Sequence, residues 1–411
     1  MFEFGPILRT LWRNKTGASL IILQSALTLA IVANAAFVLQ QRLQLINQPT
    51  GIDEQHLFTI DIKPLGQELF SVGEIQRDTL ELRQIAGVVD ASYISDKPLS
   101  GHYSQSSRSA KNDDMELSVR LAQLATDPHG LHTLGVALEQ GRFFNDSDMV
   151  RDLKAGKVVV ISRGVADAAF GKGADVIGQQ ITSSGLPLTE KYKQVIKDSQ
   201  LFTVVGVAAD ANITSVVSAN DGVMFLPFYQ PDKTITYLIR CQPSQCNQLM
   251  LAVPQKLKQL DNHRIITGLS TVLNNKHETL RADRTMVVMM TAAIVLVSTI
   301  TGLGVIGLTL IWVNRRRWQI GVRRALGATR FNIVRYFLTE NFLVTTIGLC
   351  FGAILALGLN QLLMQHYQMQ ALPFNYIAIG MIGVWLLGLL AAVVPVFRTT
   401  TISPSLATRS I

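Results

Sequence analysis

At 411 residues the chain has the length of two or three soluble domains, but 48% of its residues are apolar and only 16% are charged. That balance excludes a wholly soluble protein. The formal net charge of +8 collects beside the apolar runs, which points to a bilayer surface and excludes nucleic acid as a partner.

In residues 1–16, Phe4, Ile7, Leu8, Leu11 and Trp12 share one helical face, the pattern of a short interfacial helix on the inner leaflet. Residues 17–39 carry no charge and are long enough for a first span. A cleavable signal peptide ending near Ala33-Asn34-Ala35 is the alternative; the apolar run continuing to Leu39 favours a retained helix. Residues 40–284 then mix strands and helices. At one end His56–Lys63 reads as a strand, Glu74–Ile85 as a helix and Val88–Ser95 as a strand. At the other, Thr234–Cys241, Gln245–Leu260 and Arg264–Thr267 repeat that order. These two β-α-β units, about 41–100 and 229–284, flank a block at about 101–228. The block is richer in short strands, at Glu116–Ala125, Val158–Ile161, Phe202–Ala208 and Gly222–Phe228.

Residues 285–313 form a second uncharged run. At about 1.5 Å per residue it reaches about 43 Å, beyond a ~30 Å hydrocarbon core, so it is expected to continue outside the bilayer as a stalk. Residues 314–336 form a basic loop, 337–363 a third span, 364–373 a short outer loop, and 374–397 a fourth span closed by Pro395. Residues 398–411 are a basic tail. Between positions 314 and 341 there are seven arginines and no acid before Glu340. Read as one continuous helix, Arg316, Arg323 and Arg330 share a stripe, with Arg317, Arg324 and Arg335 beside it. Val322, Leu326, Thr329 and Ile333 lie opposite. Basic residues also dominate both termini, whereas 40–284 is slightly acidic. The positive-inside rule therefore puts both termini and the 314–336 loop in the cytoplasm and the large domain outside.

The order Gln319-Ile320-Gly321-Val322-Arg323-Arg324-Ala325-Leu326-Gly327-Ala328-Thr329, followed by Phe337-Leu338-Thr339-Glu340, resembles the cytoplasmic loop of the MacB/FtsX-like permeases. These are the membrane subunits of mechanotransmission-type ABC transporters. Three blocks of the large domain are similar to the same family: Gly141-Arg142-Phe143-Phe144 with Asp148; Val158–Ser162 with Phe170-Gly171 and Ile177-Gly178; and Phe202–Val207 with Asp210. So is the tail, through Pro395, Arg398, Ser403-Pro404, Ala407 and Arg409. The first span matches least distinctly. The resemblance implies four transmembrane helices and, between the first two, an α+β extracytoplasmic domain. Its porter-like halves hold an inserted β-rich subdomain. It also implies a coupling helix around Trp318–Arg335 that docks on an ABC ATPase. Arg316, Arg317, Arg323 and Arg324 would pair with acids there, and Gly327 and Ala328 would allow close approach. Trp318, Gln319, Ile320, Gly321, Ala325 and Glu340 complete the expected coupling set. Gln319 departs from the family, which usually has Glu at this position.

No catalytic constellation is present in the sequence. There is no Gly-x-x-x-x-Gly-Lys-Ser/Thr phosphate loop, so ATP and magnesium are expected in a partner ATPase, and no bound cofactor or metal is expected in this chain. His129 and His132 have ligand-like spacing without an evident Cys or acidic partner. Cys241 and Cys246 flank a Pro-containing turn in a compartment that permits disulfides; a bridge or two free thiols both fit. Cys350 reads as a packing residue. Gly302, Gly304 and Gly307 in the second span, and Gly348, Gly352 and Gly358 in the third, would permit close helix contact. The spans lack the ionisable residues of an ion-coupled carrier.

The expected function is that of an ABC-transporter permease in a bacterial inner membrane, paired with a second copy or a paralogue. Efflux of antimicrobial peptides or toxic small molecules is the first guess at its task. The family also allows a periplasmic adaptor and an outer-membrane channel as partners. The alternative is a membrane-anchored extracytoplasmic sensor or scaffold without an ATPase.

Overall fold

The computed structural model describes residues 15–400 apart from 67–68, 102–103, 113–114, 152, 184, 186, 188–199, 214–221, 231 and 368–369. The expected interfacial helix at 1–16 and the tail at 398–411 lie largely or wholly outside the described residues. The chain divides into two units: residues 1–44 with 283–411, and residues 45–282.

The first unit holds four long apolar helices: α1 (Lys15–Ile46), α7 (Arg281–Arg315), α9 (Arg330–Tyr367) and α10 (Phe374–Thr400). All four are long and apolar enough to cross a membrane. The central one is α1: 61% of its apolar window is buried, against 17% for α7. Its neighbours approach through small residues. A Cβ on Gly348 would meet the Ile22 carbonyl oxygen at 2.8 Å, and one on Gly352 would meet that of Ala26 at 2.9 Å. Gly304 makes room for the Gln24 side chain, whose amide donates to the Ile300 carbonyl (3.1 Å). A Cβ on Gly302, Gly307 or Gly358 would meet nothing within 4 Å among the described residues. Pro395 lies inside α10 near the end of the fourth span, at Phe397; the helix itself runs on to Thr400, and Val396 packs with Val313 and Ile333.

Buried amides tie the bundle together. Asn34 donates to the Ala30 and Ala356 carbonyls, and Asn341 to that of Gly388. Asn360 accepts from the Leu372 amide, folding the outer loop back onto α9.

The second unit joins two sheets. Strands β1 (Leu57–Pro64), β2 (Val88–Ile94), β10 (Ile235–Cys241) and β11 (Arg264–Thr271) form a four-stranded sheet in the order β11-β1-β10-β2. Helices α2 (Val72–Arg83) and α5 (Cys246–Leu260) connect β1 to β2 and β10 to β11. The two β-α-β units read from sequence thus interleave into one split β-α-β layer. Apolar residues at alternate positions, Phe58, Ile60 and Ile62 on β1, meet Ile75, Leu82 and Val253 of the helices. One ion pair is wholly buried in this layer. Asp78 accepts from Arg264 Nη1 (2.5 Å) and from the Tyr237 hydroxyl (2.9 Å). Cys241 and Cys246 are joined by a disulfide, with Cα atoms 5.3 Å apart, pinning the end of β10 to the start of α5.

Between β2 and β10 the chain builds a seven-stranded mixed sheet. It comprises β3 (Ser104–Asn112), β4 (Met115–Ala125), β5 (Leu138–Gly141), β6 (Val158–Ser162), β7 (Gln180–Thr182), β8 (Leu201–Ala208) and β9 (Gly222–Leu226). The order is β3-β4-β9-β6-β8-β5, with β7 also on β8. Sequence alone had marked β4, β6, β8 and β9. Helices α3 (Gly130–Leu134), α4 (Arg163–Phe170) and α6 (Val272–Thr279) complete this unit. Leu57 and Leu238 from the first sheet share a core with Leu124, Val160 and Phe225 from the second.

The family-like blocks do structural work in this sheet. Arg142 grips Asp148 with both terminal nitrogens (2.5 and 3.0 Å), and Asp148 also accepts from the Asn145 amide. Asp210 accepts from the Gly164 amide (2.6 Å) in the first turn of α4.

Candidate coupling surface

The loop after α7 is a short helix between two caps. Helix α7 ends at Arg315, and α8 spans Arg317–Ala325. The Ala328 amide returns to the Arg323 carbonyl (3.0 Å) while Gly327 sits at φ +96°, the left-handed closure that ends a helix. Thr329 then accepts from the Asn332 amide (3.3 Å) and caps α9. The continuous helix expected over 314–341 is therefore broken at 326–329. The arginine stripes do not extend across it, and Arg330 and Arg335 belong to the root of the third span. The signal was legible: a Gly two residues before a Thr is a helix stop followed by a helix start.

Helix α8 is fastened on its inner side. Ile320 packs with Val313, Ile333, Val334, Phe337 and Val396, drawn from the adjoining ends of α7, α9 and α10. Gly321 is buried as well. Arg316 is only 8% exposed, and its Nη1 lies 2.7 Å from Oε2 of the fully buried Glu340. This overturns the expectation that Arg316 reaches out to an ATPase: its partner is in its own chain. Arg323 is exposed, with its guanidinium 4.8 Å from the Tyr336 ring centroid.

The outer side presents Trp318 (66% exposed), Val322 and Leu326 (83% exposed), spaced i, i+4, i+8, with Phe331 also exposed. Gln319 and the cations Arg315, Arg330 and Arg335 are exposed too. Val322 and Leu326, read from sequence as lying opposite the arginine stripes, are part of the free face. Gly327 serves the turn, and Ala328 is half-buried. The side chains of Arg317, Arg324 and Ala325 lie outside the described residues.

The other unit gathers His129 and His132 on one carboxylate, a partner the sequence did not reveal. Their Nδ1 atoms lie 3.0 and 2.5 Å from Asp90. Arg83 adds Asp90 (3.3 Å) and Asp127 (3.1 Å) to the same network. Burial raises the Asp90 carboxyl, but the two histidines outweigh it and hold the group below its ordinary value. Asp127 is pushed up to about 6 by burial, against Arg83 and the Tyr93 and His129 amides that bond it. With a guanidinium on the same carboxylate, this is an ion-pair network, and no metal-holding group occurs among the described residues.

Two family models match the chain. The MacB-like periplasmic core domain covers residues 21–255, more than half of it, and the FtsX-like permease C-terminal domain covers 291–404. The chain belongs to the MacB/FtsX-like family of ABC transporter permeases. Among curated relatives of this permease, the macrolide export ATP-binding/permease protein MacB of Neisseria gonorrhoeae is 28% identical over 266 residues, 61% of this chain and 36% of that one. The pyoverdine export ATP-binding/permease protein PvdT of Pseudomonas syringae is 26% identical over 234 residues, 55% of this chain and 33% of its own. The permease therefore spans about a third of the length of the curated relatives it matches. The periplasmic region of MacB from Actinobacillus actinomycetemcomitans aligns with 57% of the chain at 14% identity and a TM-score of 0.31.

Proposed function

We propose that this permease transmits ATP-driven movement from a cytoplasmic ABC ATPase to its extracytoplasmic domain, working as one of a pair of permease subunits in a bacterial inner membrane. Both termini and α8 are cytoplasmic in this reading, and residues 45–282 act outside. The supporting observation is the free face of α8. A Trp318–Val322–Leu326 ridge flanked by arginines stands on a helix whose other side is fastened to the roots of α7, α9 and α10. An apolar ridge with a cationic rim suits an acidic-rimmed groove on an ATPase. Arg316, Glu340 and the buried Ile320 and Gly321 drop out of the contact set, Trp318, Gln319 and Arg323 stay in it, and the exposed Val322, Leu326 and Phe331 join it. Export is the task proposed from the relatives' names, macrolide export and pyoverdine export; efflux of peptides or toxic small molecules, with an adaptor and outer-membrane channel, is proposed from the family resemblance alone.

Purification of the full chain from its native membrane, with mass spectrometry of what accompanies it, tests this reading. The expected result is an ABC ATPase at equal stoichiometry, lost when Arg323 and Arg324 are both changed to Glu. A chain that emerges alone after cross-linking refutes it in favour of a sensor or scaffold.

A further inference from the structure

Arg316 stands at the joint between two helices. Its amide donates to the Val313 carbonyl at the end of α7 (3.2 Å), and its carbonyl accepts from Ile320 in the first turn of α8 (3.0 Å). Whatever holds Arg316 therefore holds both helix ends. Its side chain reaches Glu340, ten residues beyond the start of α9 and so about 15 Å along it. This anchor lies in the body of the helix and not in its first turn.

The rest of the attachment is thin. A nine-residue helix has little stability of its own, and among its described side chains Ile320 alone enters the buried apolar cluster, beside the contact of Arg323 with the Tyr336 ring. The second oxygen of Glu340, Oε1, is buried and meets no donor among the described residues. Separating the pair would leave a buried carboxylate without a partner, a strongly disfavoured state.

We infer that Glu340 is a positioning residue: acting through Arg316, it clamps the start of α8 to the body of α9, so that displacement of α8 moves the membrane helices with it. The clamp stands on this geometry alone; its use in transmission rests on the transporter reading above.

The test uses the full chain in lipid nanodiscs, followed by hydrogen exchange and mass spectrometry, first without and then with its ATPase. Without ATPase, Glu340→Gln is expected to speed exchange across residues 317–325 by roughly tenfold, while residues 235–260 stay as in the parent and report intact folding. The charge-swapped pair Arg316→Glu with Glu340→Arg is expected to restore slow exchange. If Glu340→Gln does not insert, Arg316→Gln is read in its place. Unchanged exchange in 317–325, or a swap that fails to restore it, overturns the clamp. With ATPase, the parent should change exchange at residues 281–290 on adding ATP and vanadate. Glu340→Gln should capture the ATPase equally and lose that response; a response of parental size overturns the transmission role. A parent chain that captures no ATPase refutes the transporter reading instead, and the exchange at 317–325 still decides the clamp.

Discussion

The hydroxyls of Thr28 and Thr301 lie 2.6 Å apart in the contact between the first and second spanning helices. Each hydroxyl is also within donating distance of a carbonyl in its own helix, Thr28 of Gln24 (2.7 Å) and Thr301 of Val297 (2.8 Å), so with one proton apiece one hydroxyl donates across the contact while the other donates within its helix. The same helix pair is tied by Gln24 to the Ile300 carbonyl and, at its other end, by Arg42 to Asp283 (2.8 Å). Polar ties thus join α1 and α7 at two places, around Gln24 and Thr28 and again at Arg42.

Because each threonine keeps a local partner, Thr301→Val should cost only about 0.6 kcal/mol, the usual size of one such bond between membrane helices. Gly352→Leu should cost several times more, because its Cβ would meet backbone at Ala26 and not a movable side chain. Unfolding of both variants in mixed detergent micelles measures the difference. Equal costs would contradict the packing described for α1.

Two glycines of the family-like blocks separate strain from clash. Gly171, at φ +96° and ψ 151°, faces open space but holds a backbone conformation almost confined to glycine, so Gly171→Ala should cost about 2 kcal/mol from backbone strain alone. Gly141, at φ +71°, would place a Cβ 2.2 Å from the Val205 carbonyl oxygen, so Gly141→Ala should cost about 3 kcal/mol or more. Hydrogen exchange across β5 and β8 in the full chain reports both.

The Asp90–Asp127 network predicts a particular pH dependence. Asp127 has a raised folded-state value, about 6, so its stabilising contribution is complete below the unfolded value near 4 and is lost as pH rises through 6. Asp90 is depressed, so its contribution holds above pH 4 and is lost only at lower pH. The groups packed on Asp127 are Arg83, His129 and Tyr229. Between pH 7 and 5 the unit of residues 45–282 should therefore gain roughly 1 kcal/mol from Asp127, and Asp127→Asn should abolish that gain. Its hydrogen-exchange midpoints at the two pH values, corrected for intrinsic exchange, decide the matter.

The free face of α8 predicts a ranking for ATPase capture. Leu326→Asp or Trp318→Asp should weaken it at least about tenfold, the size expected of an apolar anchor. Arg330→Glu, at the rim, should mainly steepen or flatten the salt dependence. Membrane insertion should be unaffected in all three. Equal capture by Leu326→Asp and the parent would remove this ridge from the interface.

The sequence by itself determined the four spans, the two β-α-β units and the position of the strand-rich insertion. Each rests on a local property: an apolar run longer than a bilayer core, or alternation over a few residues. It also held the stop at Gly327 and the start at Thr329, masked there by arginines that fit one continuous helical face. Tertiary structure decided the rest. Arg316 and Glu340 are separated by 23 intervening residues, and nothing local distinguishes the buried arginine from its exposed neighbour Arg315. The same holds for Asp90 with His129 and His132, which meet only because β2 and α3 pack together. Likewise α1, the span with the least distinct sequence, is the one around which the others pack. Periodicity reports which residues avoid water; which partner each one meets there depends on contacts between distant segments, and only the folded chain specifies those.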